Sequence, residues 1–369
     1  MSFEKILEEL KTLKDVRPEI CEKIKNHNLP VIIFGAAETA GRVANILKSY
    51  GVEIAGYAVD EKYFKPNQTY LERSVYNLDE LVTTPEKYVF VLGCVGVGGE
   101  PPRIIEFLKD TKIIKYAFNE STIAKNLNYE YISANRAKFT ETFYWLADEL
   151  SKKTMIEFLK AKITYDIKCN FEIYYPSQYF NEITNGVTTP NGGGGYVDCG
   201  AFNGDTVKNF IDWSGGNYSK IFAVEADPVN FAALEKFIAE KNYKNVVAVN
   251  CGAWNEKTTL TFSDTNKTNA AVSAEGKIKI AADTIDNITG GEKIKFIKMD
   301  IEGAELPALQ GAAETIKKFK PTLAICAYHK AADLITLPQF IKSLNPDYKF
   351  YLCKHTLASD TELVLYAIP

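Results

Sequence analysis

The sequence predicts an α/β fold made of two units, each built on a mostly parallel sheet. Continuous apolar runs such as P-V-I-I-F-G (30–35) and T-L-A-I-C-A-Y (322–328) alternate with segments of helical period. Strands that are apolar along their whole length are covered on both faces, as in a parallel sheet flanked by helices. The length of 369 residues exceeds what one hydrophobic core usually organises, so two domains are expected.

The first unit, a smaller Rossmann-like domain, is predicted over residues 1–118. Its first 29 residues have the pattern of two short amphipathic helices broken near Pro18. Four apolar runs then predict strands, separated by a helical segment after Gly35 and by less regular stretches. These strands are expected at 30–35, 52–60, 87–93 and 112–118.

Residues 119–185 are predicted to form a helical connector. Phe139, Phe143, Leu146 and Leu150 follow one another at spacings of four, three and four residues. That spacing places them on one face of a single helix. The favoured interpretation is a helix that packs this face against a core.

The second unit is predicted over residues 186–369 as a second Rossmann-like, mostly parallel sheet. Two strands close together at the end of the chain predict an antiparallel hairpin that terminates the otherwise parallel sheet. The strands of this unit are expected at 196–199, 220–225, 245–250, 258–262, 294–300, 322–328, 348–355 and 362–369, with helices at 204–213, 230–238 and 305–318.

Composition and charge exclude several classes of partner. A net charge of −4 and a pI near 5.7 give no basic surface for nucleic acid. No apolar run reaches the roughly 20 residues that a membrane-spanning helix needs. Seven cysteines without a C-x-x-C pair suggest buried thiols in a reducing compartment, so we expect a cytoplasmic protein.

A glycine-rich turn, N-G-G-G-G-Y-V-D-C-G-A-F-N-G-D-T at 191–206, opens the second unit. A Walker A loop requires a lysine where the sequence has Ala201, so that phosphate-binding loop is excluded. A dinucleotide fingerprint requires a glycine where the sequence has Phe202, which disfavours NAD.

The pattern acid-x-Gly-x-x-x-Gly fits the nucleotide loop of S-adenosylmethionine enzymes. Asp198 ends the first strand and could accept from the amino group of the cofactor. Gly200 is expected to face the cofactor, and Gly204 to allow a close start of the following helix. Glu225, which ends the second strand, would suit the ribose hydroxyls because a carboxylate only accepts hydrogen bonds. The alternative is that both acids are ordinary turn residues and N-caps.

Acids and histidines also follow the later strands of this unit. Asp300 ends the predicted strand 294–300 and Glu302 lies just beyond it, His329 follows the strand 322–328, and His355 ends the penultimate strand. Imidazole titrates nearest neutral pH, so His329 is the first candidate for a general base. Asp300 and Glu302 could orient it or hold Mg²⁺ through oxygen ligands. The alternatives are capping of the next helix by the acids and a strand-end hydrogen bond from His329.

Three blocks of this unit, V-D-C-G-A-F-N-G-D-T, V-E-A-D-P and I-K-M-D-I-E-G-A-E-L-P-A-L-Q-G-A, resemble the FkbM family of S-adenosylmethionine-dependent methyltransferases. The resemblance covers roughly 178–369 and implies a sheet of the class I methyltransferase type in this unit. It implies methyl transfer to oxygen on a small-molecule or glycan hydroxyl, including nucleotide-linked sugars. A homo-oligomer is compatible with it. The cofactor site expected is Asp198, Gly200, Ala201, Phe202, Gly204, Asp205, Glu225, Ala226, Gly252, Ala253 and Asp300, and the catalytic residues expected are His329, Asp300 and His355.

The turn F-G-A-A-E-T-A-G-R-V-A in the first unit resembles the G-A-G-x-x-G-R turn of Rossmann-like domains attached to sugar-modifying enzymes. Ala37 replaces the middle glycine, and Ala40 sits near the third position. Asp60 ends the second strand, where an acid would bind a ribose. Binding of a nucleotide or nucleotide sugar and a role as a helper or dimerisation domain are both open for this unit.

Two other functions remain alternatives at this point. One is an NAD-dependent oxidoreductase or epimerase of nucleotide sugars that uses the N-terminal turn. The other is a protein that binds S-adenosylmethionine or a nucleotide without turnover. We expect the acceptor pocket to be built from the segments 165–190 and 264–276.

Overall fold

The computed structural model describes residues 2–94, 101–120, 123–181, 183, 193–262 and 278–369. The chain divides into two compact units. Unit 1 consists of Met1–Ala134, Lys153–Tyr174 and Lys354–Thr361, and unit 2 of Asn135–Lys152, Tyr175–Cys353 and Glu362–Pro369. The predicted connector, 119–185, is thus shared between the two units.

Strands account for the centre of each unit. They are β1 (Val31–Phe34), β2 (Gly56–Val59), β3 (Thr69–Tyr70), β4 (Arg73–Asn77), β5 (Val89–Leu92), β6 (Ile114–Tyr116), β7 (Gly195–Cys199), β8 (Ile221–Val224), β9 (Val246–Val249), β10 (Gly252–Ala253), β11 (Thr258–Phe262), β12 (Ile278–Asp283), β13 (Ile294–Met299), β14 (Thr322–Cys326), β15 (Lys349–Lys354) and β16 (Leu363–Ile368).

Helices connect most of these strands. They are α1 (Phe3–Thr12), α2 (Arg17–Asn26), α3 (Glu38–Ser49), α4 (Leu78–Leu81), α5 (Pro101–Lys109), α6 (Tyr129–Ala134), α7 (Arg136–Trp145), α8 (Glu149–Thr164), α9 (Lys168–Phe171), α10 (Asp205–Trp213), α11 (Pro228–Lys241), α12 (Ile285–Thr289), α13 (Glu305–Gln310), α14 (Ala313–Phe319) and α15 (Asp333–Leu344), with short 3₁₀ turns at Glu61–Tyr63 and Pro85–Lys87. No helix in the described part of the chain is long and apolar enough to cross a membrane.

The sheet of unit 1 has the order β3-β4-β2-β1-β5-β6. All its strand pairs are parallel except β3 with β4. Its two faces are both buried: Val31 and Ile33 of β1 join one core cluster, and Ile32 and Phe34 join another. Successive side chains of a strand point to opposite faces, so a strand covered on both sides must be apolar throughout.

The main sheet of unit 2 has the order β15-β16-β14-β13-β7-β8-β9. From β14 to β9 the pairs are parallel, and β16 is antiparallel to β14. The predicted α/β class and the antiparallel end of the sheet are therefore confirmed. A separate three-stranded sheet, β10-β12-β11, contains the predicted strand 258–262.

The single helical face expected from Phe139 to Leu150 is wrong. Helix α7 ends at Trp145, and Leu146 has extended backbone (ψ 127°) and forms an isolated bridge with Phe350. Phe139, Phe143 and Leu146 are buried, whereas Leu150 is 42% exposed. The chain leaves the helix because Leu146 pairs with a strand, which the spacing of apolar residues does not reveal.

Candidate active site

The glycine turn follows β7 at the carboxyl edge of the unit 2 sheet. Gly200 has φ +78° and Gly204 has φ +92°, a backbone region that favours glycine. A Cβ on Gly200 would collide with the carbonyl oxygen of Asp300, and one on Gly204 would lie 2.5 Å from the ring of Phe237. Close packing within the protein thus accounts for both glycines, and contact of Gly200 with the cofactor stays a prediction.

Asp198 lies inside the protein, beneath this turn. It has no exposed surface and is paired in register with Lys298 of the neighbouring strand β13. Nζ of Lys298 lies 3.1 Å from Oδ1 of Asp198, and the hydroxyl of Thr206 donates to Oδ2. Lys298 also donates to the carbonyl oxygen of Gly200 at 2.7 Å. Asp198 therefore supports the turn through a buried ion pair, and its predicted contact with the cofactor stays a prediction.

Glu225 ties the turn to the end of β8. One carboxylate oxygen accepts from the backbone N–H of Phe202 and the other from that of Asp227, each at 2.8 Å. Burial raises the pKa of Glu225. Asp227, and not Glu225, caps the next helix: its side chain accepts from the backbone N–H groups of Val229 and Asn230 at the start of α11. The carboxylate of Glu225 does not cap this helix and lies at the end of β8, where it can accept further hydrogen bonds.

Three of the predicted residues, together with Glu305, form the His329 cluster. Nδ1 of His329 lies 2.9 Å from a carboxylate oxygen of Glu305. Nε2 lies 3.5 Å from Asp300 and 3.6 Å from Glu302. The His329 side chain is only 4% exposed, whereas those of Asp300 and Glu302 are 26% and 27% exposed. The cluster is thus reached from solvent through its two carboxylates.

Charge within the His329 cluster is unevenly distributed. Burial opposes a charge on His329, but the carboxylates of Glu305, Asp300 and Glu302 outweigh it and raise the pKa of His329 to about 10. Burial raises the pKa of Glu302 to about 7, although the charge of His329 opposes this shift. At neutral pH His329 is an imidazolium ion, which already holds the proton that a general base would have to accept.

Helix α13 does not use Asp300 or Glu302 as a cap. Its N-cap is Ala304, which has no side-chain cap, and the buried carboxylate of Glu305 instead accepts from the N–H groups of Ile301 and Gly303 at 3.1 and 3.4 Å. Glu302 adopts a left-handed backbone with φ +54°, which is unusual for a residue other than glycine. Neither acid caps the helix, and both are partly exposed to solvent.

Further residues around the cluster were not found from the sequence. The hydroxyl of Tyr179 donates to Asp300 at 3.1 Å and lies 3.4 Å from the sulfur of Cys326. Burial opposes a charge on Lys298, but the nearby carboxylates of Asp198 and Asp300 raise its pKa. A lysine inside the apolar run of β13 was the one available signal, because a buried charge needs a partner. Glu305 carried no comparable signal.

The structure places the remaining predicted residues as follows. Ala201 is fully buried and Asp205 is the exposed first residue of α10. Ala226 is partly buried, and Gly252 and Ala253 form β10. His355 is 7% exposed and belongs to unit 1, unlike His329.

A cavity of about 710 Å³ in unit 2 is lined by residues that include Val249, Cys251 and Asp283. It adjoins the predicted cofactor residues Gly252 and Ala253 in sequence and shares no residue with the His329 cluster.

The corresponding edge of unit 1 is occupied by arginines. Gly35 has φ +127°, and a Cβ there would collide with the backbone of Gly93. Asp60, the predicted ribose ligand, accepts from Arg103 at 2.7 Å. The segment 95–100 and the predicted acceptor segment 264–276 lie outside the described residues, as does most of 182–192.

Comparison with known proteins assigns part of the chain to a family. Residues 198–352 match the model of the methyltransferase FkbM domain, from Asp198 through the His329 cluster. The crystal structure of methyltransferase FkbM from Methylobacillus flagellatus KT is similar with a TM-score of 0.69 and 23% identity, over 99% of this chain and 98% of that chain. That likeness extends the shared fold to both units. No curated protein matches the chain in sequence.

Two other solved structures are similar over about half of the chain. An rRNA methylase from Streptococcus thermophilus is 13% identical, with a TM-score of 0.31, over 47% of this chain and 85% of that chain. Aeropyrum pernix fibrillarin in complex with S-adenosyl-L-methionine is 12% identical, with a TM-score of 0.32, over 48% and 66%.

Proposed function

We propose that this chain, a methyltransferase that matches the methyltransferase FkbM domain over residues 198–352, uses S-adenosylmethionine to methylate a hydroxyl of a sugar, nucleotide sugar or polysaccharide precursor. The observation that carries this proposal is the His329 cluster, in which two partly exposed carboxylates and a histidine follow adjacent strands. Carboxylate oxygens accept hydrogen bonds only, which suits an acceptor rich in hydroxyl groups.

The residues at the turn fit S-adenosylmethionine. Phe202 is 39% exposed, and its backbone has a left-handed φ of +47°. Its N–H donates to the carboxylate of Glu225. An exposed aromatic ring next to a carboxylate suits the adenosine portion, because the carboxylate retains unused lone pairs. Phe202 and Glu225 would hold the cofactor, with Asp198 and Lys298 supporting the turn from the core. When bound, the cofactor supplies an electrophilic methyl group on a sulfonium sulfur.

The reaction is a displacement at the methyl carbon. The bond from sulfur to methyl breaks, a bond from the acceptor oxygen to methyl forms, and the hydroxyl loses its proton. With S-adenosylmethionine held at the turn by Phe202 and Glu225, the leaving group would be the neutral thioether of S-adenosylhomocysteine. Alignment of the two reactants supplies much of the rate, because a bimolecular step becomes effectively unimolecular. Asp300 and Glu302 would orient the acceptor hydroxyl.

Activation of the hydroxyl depends on His329 in this proposal. General-base catalysis contributes typically about 10²–10⁴-fold. Since Glu305, Asp300 and Glu302 hold His329 as a cation, it can accept a proton only after it has lost one. His329 therefore acts in its neutral form. It either accepts the proton of the acceptor hydroxyl or binds another group that activates this hydroxyl.

A binding experiment followed by a transfer experiment tests the proposal. S-adenosylmethionine and S-adenosylhomocysteine should raise the melting temperature, whereas NAD should not. Transfer of a labelled methyl group should then be measured to free sugars, nucleotide sugars and oligosaccharides, with a simple alcohol and an amine as comparison acceptors. Methylation of amines alone, or binding of the cofactor without transfer to any hydroxyl acceptor, would contradict it.

A further inference from the structure

In the His329 cluster, two carboxylates face a histidine nitrogen without forming a hydrogen bond to it. Nε2 of His329 makes no hydrogen bond, although its side chain is almost fully buried, and it faces oxygen atoms of Asp300 and Glu302. The distances of 3.5 and 3.6 Å are too long for hydrogen bonds. One ligand atom from each of the three residues lies within 4.8 Å of the others.

We propose that Asp300, Glu302 and Nε2 of His329 bind one divalent first-row transition-metal ion. Two ligands at about 2.1 Å from a tetrahedrally coordinated ion lie about 3.4 Å apart, close to the separations seen here. Three protein ligands would leave a coordination position for an acceptor oxygen or water, as in catalytic metal sites.

Glu305 supplies the support that such a histidine requires. Metal-binding histidines almost always donate their second ring N–H to a carboxylate or carbonyl, which fixes the orientation of the ring. Nδ1 of His329 lies 2.9 Å from Oε1 of Glu305, although without hydrogen-bond geometry in this structure, and the N–H groups of Ile301 and Gly303 donate to that same oxygen. Glu305 is therefore a positioning residue for the proposed site.

A neighbouring group of possible ligands is less suitable. Asp300, Cys326 and Glu362 also lie within reach of a common ion. However, the sulfur of Cys326 already lies 3.4 Å from the hydroxyl of Tyr179. Glu362 in turn lies within hydrogen-bonding distance of Gln178 and Tyr328. These contacts satisfy the second group from within the protein, whereas Nε2 of His329 has no hydrogen bond.

The donor set indicates which ions would bind. Mg²⁺ prefers oxygen ligands and retains several waters, whereas imidazole suits ions later in the first transition row. One histidine with two carboxylates thus favours Fe²⁺ or Zn²⁺ over Mg²⁺, and Mn²⁺, which carboxylates also suit, is the paramagnetic probe of the site. Binding of the ion does not depend on the proposed function. Its role in catalysis does, since a bound ion would make an acceptor hydroxyl more acidic.

The test measures binding of Mn²⁺ to the full chain after treatment with a chelator. Loss of the signal of free Mn²⁺ in electron paramagnetic resonance, and calorimetry, should give one site per chain. Glu302→Gln and His329→Ala should each weaken Mn²⁺ binding at least 10-fold, and Glu305→Gln should weaken it about 10–100-fold. Glu235→Gln, which removes an exposed carboxylate on α11, should leave Mn²⁺ binding unchanged.

Each result separates the metal site from the methyltransferase assignment. Failure of the intact chain to bind Mn²⁺, or binding that survives both ligand substitutions, overturns the site. Mg²⁺ that binds as tightly as Mn²⁺ overturns the argument from the imidazole ligand. Methyl transfer that is unaffected by exhaustive chelation would dismiss the site's role in catalysis and leave the proposed function standing. Circular dichroism and melting temperature identify any variant that fails to fold.

Discussion

The two units have the same kind of strand-end turn, but the acids near these turns have different partners. In unit 1, Asp60 at the end of β2 is paired with Arg103, and Glu120 is paired with Arg42. In unit 2, the carboxylate of Glu225 at the end of β8 accepts from two backbone N–H groups, and Asp300 and Glu302 both face the buried His329.

This difference separates architecture from chemistry. A parallel sheet brings the ends of its strands to one edge in both units, and that edge is where open α/β sheets bind ligands. In unit 1, Asp60 and Glu120 are paired with arginines, so their charges are already balanced. In unit 2 the acids exceed their cationic partners, which leaves capacity for a cofactor, an acceptor or a metal ion. The predictions below test whether this contrast determines function.

The largest effect is expected from the histidines of the two units. His329→Ala should reduce kcat/KM for methyl transfer by at least about 10²-fold, because hydroxyl activation is lost. Affinity for S-adenosylhomocysteine, measured by calorimetry, should change little. The matched control is His27→Ala in unit 1, whose ring lies exposed beside the hydroxyl of Tyr116. Undiminished turnover in His329→Ala would remove this histidine from the mechanism.

Each unit also contains a buried lysine–aspartate pair, which provides the second comparison. Lys298 pairs with Asp198 in unit 2, and Lys162 pairs with Asp360 in unit 1. Replacing either lysine by methionine leaves a buried carboxylate alone, which costs about 3–5 kcal/mol of stability. Both variants should therefore melt at lower temperature.

Only the unit 2 variant should also lose cofactor affinity. Lys298 donates to the carbonyl oxygen of Gly200 and so holds the cofactor turn, whereas Lys162 has no such contact with that turn. Calorimetry with S-adenosylhomocysteine should show weaker binding in Lys298→Met and unchanged binding in Lys162→Met. Equal loss of affinity in both variants would mean that general destabilisation, and not the turn, is responsible.

The same pairs show what the sequence could and could not reveal. Apolar runs and their spacing predicted both parallel sheets, and strand ends placed Asp300, Glu302 and His329 at one edge. The pairing of Lys298 with Asp198 depends on the register between β13 and β7, which no local pattern encodes. The role of Glu305 depends on how the first turn of α13 packs, which is a tertiary contact between separate elements.

A smaller effect is expected from the acids that end the second strand of each sheet. Glu225→Gln should weaken binding of S-adenosylmethionine and S-adenosylhomocysteine about 10–100-fold, because a hydrogen bond to a charged group contributes about 1.5–3 kcal/mol. Asp60→Asn in unit 1 should leave both affinities unchanged. Calorimetry measures both. A loss in Asp60→Asn as large as that in Glu225→Gln would break the contrast between the two edges.

The smallest effect concerns Asp333, a buried acid at the start of α15. Its carboxylate accepts from the backbone N–H of Lys330 at 2.7 Å, and burial, followed by the charge of Glu305, raises its pKa to about 7. An unfolded aspartate has a pKa of about 4. Between about pH 4 and pH 7 the folded chain thus holds a proton that the unfolded chain has released. This contribution to stability falls as pH rises through that window.

Asp333→Asn should therefore stabilise the protein more at pH 8 than at pH 5, because the amide oxygen keeps the backbone hydrogen bond without a charge to bury. The measurement is the melting temperature of the variant minus that of the wild type, taken at intervals across this range. Asp60→Asn is the matched control, since that substitution breaks an ion pair with Arg103 and relieves no buried charge. A difference for Asp333→Asn that stays constant with pH would show that this carboxylate is ionised throughout the range. The charge of this unit 2 acid would then be balanced within the protein, against the contrast drawn between the two units.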